Sequence, residues 1–294
     1  MLKSKNGHPA LILSFPTTKY MLSDTFSDNI LIIYCFVDDF MQGINTQTDK
    51  QRKFTDAQVI STALIAAKKF KGNYHAALDF LASYEGFYRL DKGVFSMRLH
   101  RLKPIIELIF KHLSYTIKSL NISNNYIIDT FPVAVCRNIR IKDCRLLTGE
   151  HYRGFNNSKK EWFYGFKVQI ITTQDGTPVQ FDVFCGETGD VTAFQCTQIN
   201  LQEGSNLYGD KAYNDYDEED LLCECEQIYL KPHRKSNSKR KDLPFQVFLK
   251  NHIRKQIENS FAMITDLLPR HIHATSTEGF LLKILLFVLA FTIL

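Results

Sequence analysis

Apolar residues in the first 120 positions recur at helical rather than strand spacing. Thr55-Asp56-Ala57-Gln58 has the form of a capping box, and Val59, Ala63, Ile65, Ala66 and Ala67 follow it with rough helical spacing. Lys71-Gly72-Asn73 breaks that helix. Tyr74 to Tyr84 predicts the next, and Val94 to Leu120 a third, with Pro104 marking a kink or a new start. From Asn121 the pattern turns to strands. Tyr126-Ile127-Ile128-Asp129-Thr130-Phe131 is a short β-rich run that Pro132 is expected to end. Trp162 to Thr173 alternates, with Phe166, Val168 and Ile170 on one face. The Asp175-Gly176 turn signal then returns the chain through Pro178 to Cys185 as a hairpin. Val191 to Leu201 predicts a helix, Asn206 to Tyr208 a strand, Asp217 to Glu226 an acidic helix, Gln227 to Leu230 a strand, and Phe245 to Leu267 a long helix. Strands followed by alternating helices and strands predict a mixed α/β sheet covered on both faces.

Composition limits what such a chain can be. Hydrophobic residues make up 45% and charged residues 23% of 294, an ordinary globular balance. The net charge of +5 is mild, so its placement matters more than its sum. Seven cysteines without a CxxC pair fit a reduced, cytoplasmic protein better than a zinc site or a disulfide frame. Asp24, Asp28, Asp38 and Asp39 interrupt the early apolar runs, so no secretion signal is read. The apolar stretch from Gly279 is shorter than a membrane span and carries Lys283; it predicts a buried terminal helix and no membrane partner.

Three carboxylates sit where chemistry could use them. Asp129 lies inside an apolar strand, on the side of Ile127 and Phe131, where an ionised group needs a partner or a cation. Asp210 directly follows the strand Asn206 to Tyr208 and Gly209, the position at which open α/β sheets build sites. Glu258 lies about 100° from Ile257 around the last long helix, at the edge of the apolar stripe Ile253, Ile257, Phe261, Ile264 and Leu268. Two hard cations held by such oxygens could activate a water or a 3′-hydroxyl and steady the leaving oxygen of a phosphodiester. Each carboxylate also has an ordinary reading. Asp-Thr at a strand end serves as a cap, Gly-Asp as a turn, and Glu258 with Arg254 as a helix-surface ion pair. Asp182, Glu187 and Asp190 are rival carboxylates at the hairpin's end, and His271-Ile272-His273 a rival metal pair.

Basic residues supply a matching surface. Residues 231–255 hold Lys231, Arg234, Lys235, Lys239, Arg240, Lys241, Lys250, Arg254 and Lys255 against Asp242 alone, a natural phosphate-binding arm whose plain alternative is a solvated loop. A second basic stretch from Arg137 includes Arg140, Lys142, Arg145, Arg153, Lys159, Lys160 and Lys167. Tyr152, Trp162 and Tyr164 lie within it and could stack on bases or serve as core or rim aromatics. In the helical part, Arg98, His100, Arg101 and Lys103 are compatible with a helix-turn-helix-like DNA-binding unit and also with an unrelated small bundle. The acidic run 215–226 reads as a solvated helix face, and Cys223-x-Cys225 as incidental thiols.

The blocks Ile128-Asp129-Thr130-Phe131-Pro132-Val133, Lys159 to Lys167, Gly209-Asp210-Lys211-Ala212-Tyr213 and Ile257-Glu258-Asn259-Ser260-Phe261 resemble those of bacterial insertion-sequence transposases with a DDE domain, the insertion-sequence 982 family in particular. A weaker likeness extends to Val37-Asp38-Asp39-Phe40 and Gly279 to Lys283. The resemblance implies an RNase H-like fold over 121–294, preceded by an all-helical, DNA-end-binding region over 1–120. It implies an acidic triad falling on Asp129, Asp210 and Glu258, and two Mg²⁺ ions with Mn²⁺ accepted. Cleavage and strand transfer on double-stranded DNA would follow, at the inverted repeats and the target, by a homodimer or higher assembly in the cytoplasm at the nucleoid. A related endonuclease, or an inactive DNA-binding remnant, is the alternative. One departure is plain. The Tyr-x2-Arg-x3-Glu-x6-Lys pattern of many wider relatives keeps Arg254 and Glu258 here, but Asn251 and Thr265 replace the tyrosine and the lysine. Arg254 or Lys255 could take the lysine's place.

Overall fold

The computed structural model describes residues 26–44, 52–84, 86–157, 159–269 and 272–293, without the side chains of 26–28 and 254–261. The stretch read for a secretion signal lies mostly outside the described residues, as does His271.

Six strands form one mixed sheet: β1 (Asn125–Cys136), β2 (Arg153–Asn156), β3 (Glu161–Thr173), β4 (Pro178–Cys185), β5 (Asn206–Gly209) and β6 (Tyr229–Pro232). β1 is central. It pairs antiparallel with β3 on one side and parallel with β5 on the other, and β6 extends the parallel half as the edge. β2 and β4 both pair antiparallel with β3, β2 at its start and β4 along the rest. The short strand β2 has no counterpart in the sequence reading, because four residues carry too little alternation.

Pro132 does not end β1, which runs on to Cys136 and pairs Pro132 with Lys167. The ladder between β1 and β5 stops at Ile127, so beyond it one edge of β1 needs no N–H donor and a proline is tolerated. Gly165 explains its own identity at this point. A Cβ there would lie 2.2 Å from the Val133 carbonyl oxygen, where the β1–β3 register shifts between Ala134 and Cys136.

Helices cover both faces. α1 (Phe26–Gly43), α2 (Asp56–Lys69), α3 (Tyr74–Leu81), α4 (Lys92–Arg101) and α5 (Lys103–Leu120) precede the sheet. The expected capping box is present, with Thr55 accepting from Gln58 N and the Gln58 side chain accepting from Thr55 N. α6 (Asp190–Cys196) is shorter than expected, while α7 (Tyr216–Glu226), α8 (Pro244–Leu267) and α9 (Thr277–Ile293) fall close to their expected places.

The alternation of β1 sorts its side chains into two cores. Tyr126 and Ile128 join Leu207, Tyr213, Phe194 and Leu222 under α6 and α7. Ile127, Phe131 and Val133 join Tyr208, the helices α1 to α5, Ile253 and Ile264 of α8, and most of α9 in one larger cluster. Arg98 of α4 is turned inward to Asp56, and Lys71, at the α2–α3 turn, donates to the Asp266 and Leu267 carbonyls at the end of α8. Among the described residues, no helix is long and apolar enough to cross a membrane.

Candidate active site

Strand register brings two of the three carboxylates together. Ile127 pairs with Tyr208 across the parallel β1–β5 ladder. Two residues beyond this pair stand Asp129, within β1, and Asp210, just past the end of β5 and capping the 3-10 turn that follows. Asp129 continues the face of Ile127, which with Tyr208 belongs to the larger core. α8 contributes Ile253 and Ile264 to that larger core, is tied to the end of β6 by Lys250, and carries Glu258 between the two isoleucines in sequence. The Glu258 side chain lies outside the described residues, as do those of Arg254 and Lys255.

Each aspartate is anchored locally. Asp129 is half-buried and one of its oxygens accepts from Thr130 N at 2.8 Å. Asp210 is exposed and accepts from Ala212 N at 2.7 Å, capping the 3-10 turn Lys211–Tyr213. These bonds fulfil the cap and turn roles that the sequence allowed, and they also fix the orientation of both carboxyl groups. Among the described residues, no group of three His, Cys, Asp or Glu side chains is placed to hold a metal ion.

On the opposite face lies a polar cluster under α6. Asp190 accepts from the Thr130 hydroxyl at 2.7 Å and pairs with Lys167 Nζ at 3.0 Å. Of the three rival carboxylates, it is the one joined directly to the Asp129 strand. Tyr213 is buried beside this cluster. Burial pushes its hydroxyl well above the ordinary tyrosine range, and Asp129, Asp190 and Asp210 add to the shift by repelling a phenolate. The hydroxyl makes no hydrogen bond of ordinary geometry, and the weak pull of the Thr130 hydroxyl does not offset the burial. Tyr213 therefore stays neutral. The sequence offered only its place in the Gly209 to Tyr213 block; nothing in periodicity marks a tyrosine whose hydroxyl is buried without an ordinary hydrogen bond.

The basic residues divide into two groups. Lys250 is buried, donating to the Pro232 carbonyl at 2.8 Å and to Asp242 at 2.6 Å. Arg234 pairs with Glu219 at 2.6 Å, and Arg240 grips Asp220 through both terminal nitrogens at 2.8 and 2.7 Å. Both guanidinium groups lie over the Tyr216 ring. The acidic helix α7 thus clasps two of the nine cations of the basic segment rather than standing in solvent alone. Lys167 is engaged with Asp190. Lys159, Lys160, Lys235, Lys239 and Lys241 are exposed and make no ion pair with the described residues.

A family model described as a transposase DDE domain matches residues 120–267, which is 148 of the 294 residues. The chain belongs to that family. The matched segment of this transposase begins where α5 ends and stops at the end of α8, so it contains β1, β5 and α8 and leaves α9 outside. Membership makes DNA the expected partner of the site. No curated protein and no solved structure matches the chain.

Proposed function

We propose that this transposase cuts DNA at the ends of an insertion sequence and joins the freed 3′-hydroxyl to a target, using Asp129, Asp210 and Glu258. The observation that carries the reading is the parallel β1–β5 register, which leads from the pair Ile127–Tyr208 to Asp129 within β1 and to Asp210 just past the end of β5. The strand order, β4 antiparallel to β3, β3 antiparallel to a central β1, and β5 and β6 parallel to β1 beyond it, supports an RNase H-like fold. The start of the matched segment at residue 120 supports a division into a helical region, 1–120, for DNA ends and a catalytic region, 121–294. The sequence blocks keep the insertion-sequence 982 family as the finer assignment.

The donor set suits hard divalent cations: carboxylate oxygens, oriented by backbone N–H groups, with no thiol or imidazole among the three residues. Two Mg²⁺ or Mn²⁺ ions, when bound, would supply charge that activates a hydroxyl and steadies the leaving oxygen. The residues of the chain then do the rest. The bonds from Thr130 N and Ala212 N hold the two aspartates at fixed angles. Lys167 neutralises Asp190, so the carboxylate below the site does not compete for the cations. Lys159, Lys160, Lys235, Lys239, Lys241 and the outer face of Arg240 hold phosphates of double-stranded DNA. Arg254 or Lys255 grips the terminal phosphate in place of the lysine absent at Thr265. Two ends must be held at once, which a homodimer or larger assembly accomplishes.

The test is incubation with element-end DNA and Mg²⁺ or Mn²⁺. Joined products are expected. Cleavage without joining would reduce the reading to a nuclease, and binding alone would reduce it to a remnant. Asp129→Asn and Asp210→Asn are expected to lower cleavage to background while DNA affinity is kept; cleavage that survives Asp129→Asn overturns the site. Iron(II) substituted for magnesium, with peroxide, is expected to cut the backbone near 129, 210 and 258, which examines Glu258 without relying on activity.

A further inference from the structure

The β2–β3 hairpin ends in an aromatic pair open to solvent. Phe155 and Trp162 face each other across the two strands with ring centroids 5.2 Å apart, edge to face, and remain 39% and 55% exposed. Lys159 and Lys160 stand exposed between them in the chain. The 3-10 turn Asn138–Asp143 is joined to this tip, Asn138 Nδ2 donating to the Trp162 carbonyl at 2.6 Å. It adds exposed Arg140 and Lys142, with Arg137 just before it. Five cations therefore surround the pair against two carboxylates, Asp143 and Glu161, and none of the five makes an ion pair with the described residues. A cross-strand aromatic pair stabilises a hairpin by roughly 0.2–1 kcal/mol, which accounts for the ring contact but for neither the open indole nor its cations. Phe163, Tyr164 and Phe166, by contrast, are buried, and Tyr164 donates to the Gly149 carbonyl, so of the four aromatic residues on β3 only Trp162 is available to a partner.

We propose that this tip is a separate DNA-contacting site that takes a strand with unpaired bases, Trp162 stacking on a base while Lys159 and Lys160 meet phosphates. The partner follows from the chemistry: an aromatic face ringed by cations suits a base attached to its phosphate. It follows also that the bases must be open. In a duplex both faces of each base are already covered, and exposing one costs a few kcal/mol per step. The tip lies beyond the C-terminal end of β1, on the side toward which β1 runs from Asp129. Trp162 stands beyond Cys136 in the β1–β3 register, roughly nine residues and so about 30 Å from Asp129. The contact therefore falls several nucleotides from the reacting phosphate. The proposal rests on the DNA-processing reading for its partner, not on the carboxylates.

Trp162 is the single tryptophan of the chain, so its emission reports on this site alone. The full-length protein, without divalent ions so that no DNA is cut, would be titrated with a single strand, a blunt duplex of the same length, and a duplex bearing a short unpaired flap. Quenching is expected with the strand and the flap at concentrations where the blunt duplex has little effect. Trp162→Ala is expected to weaken flap binding about 10-fold, read by anisotropy of labelled DNA, with duplex binding unchanged and most of the loss restored by Trp162→Tyr. Lys159→Ala with Lys160→Ala is expected to reduce the salt slope for a single strand by about 1.4. Emission that does not change at saturating strand overturns the proposal, as does a Trp162→Ala protein that holds the flap as tightly as the parent. A fall in solution mass of Trp162→Ala, with DNA affinity intact, would instead make the pair a contact between copies and likewise overturn it. Failure here leaves cleavage by the parent protein untouched, whereas loss of cleavage in Asp129→Asn leaves the quenching untouched, so the two readings fail separately.

Discussion

Lys283 has an inward-facing charge with a measurable consequence. Its ammonium donates to the Gly72 and His273 carbonyls and lies 4.7 Å from the Tyr74 ring centroid. Burial, with a smaller contribution from Lys92, pushes its pKa down from 10.5 to about 8. Between about pH 8 and 10.5 the unfolded chain therefore binds more protons at this position than the folded one. Stability contributed here rises with pH through that window and is lowest below it. Urea midpoints measured from pH 7.5 to 9.5 are expected to climb in the parent and to climb less in Lys283→Met; equal slopes would show that the shift is absent. Sequence periodicity located Lys283 in an apolar helix but not its partners, since the Gly72 carbonyl that it meets lies 211 positions away. Asp129 was legible for the opposite reason: a carboxylate within an apolar alternation stands out without any long-range knowledge.

At the scale of elements, the basic stretch 231–255 shows how far composition misleads. Nine cations in sequence suggest one phosphate-binding arm, yet the fold turns Lys250 inward and binds Arg234 and Arg240 to α7. Two substitutions should therefore behave differently. Lys250→Met removes the donor to Pro232 and leaves Asp242 without its partner, and is expected to destabilise the fold by about 1–3 kcal/mol while leaving the salt slope of DNA binding unchanged. Replacing Lys235, Lys239 and Lys241 together with alanine is expected to reduce that slope by up to about 2.7 with little change in the urea midpoint. A Lys250→Met protein with a reduced slope and normal stability would show that its ammonium reaches DNA. The strand β1 teaches the same lesson: Pro132 breaks a strand only where both edges need donors, and the neighbour β5 has already ended.

At the scale of the whole molecule, α9 joins what the sequence separates. The family match ends at residue 267, yet Phe280, Leu282, Ile284, Leu285, Leu286, Phe287, Val288, Leu289 and Ala290 of α9 belong to the cluster that also holds the N-terminal helices and one face of the sheet. Phe280 lies 5.6 Å from Phe166 between ring centroids. Burial of one large aliphatic or aromatic side chain contributes about 1.5–3 kcal/mol, and a whole domain is stable by only about 5–15. A chain ending at residue 276 is thus expected to lose cooperative unfolding and to aggregate. The intact protein is expected to unfold in one transition by far- and near-ultraviolet circular dichroism. Two separated transitions would show that helices and sheet are held independently.

The sequence by itself determined most of the elements from α2 on and their order, the breaks at Lys71 to Asn73 and at Asp175-Gly176, and Asp129 and Asp210 as candidates, because these follow from local alternation, turn chemistry and the cost of an apolar carboxylate. Only the tertiary structure decided that β1 and β5 run parallel in the register Ile127–Tyr208, that α8 joins the larger core, that Asp190 and Lys167 pair, and which cations face solvent. Register and ion pairing depend on residues tens to hundreds of positions apart. No window of local pattern contains both partners, so those choices are made by packing.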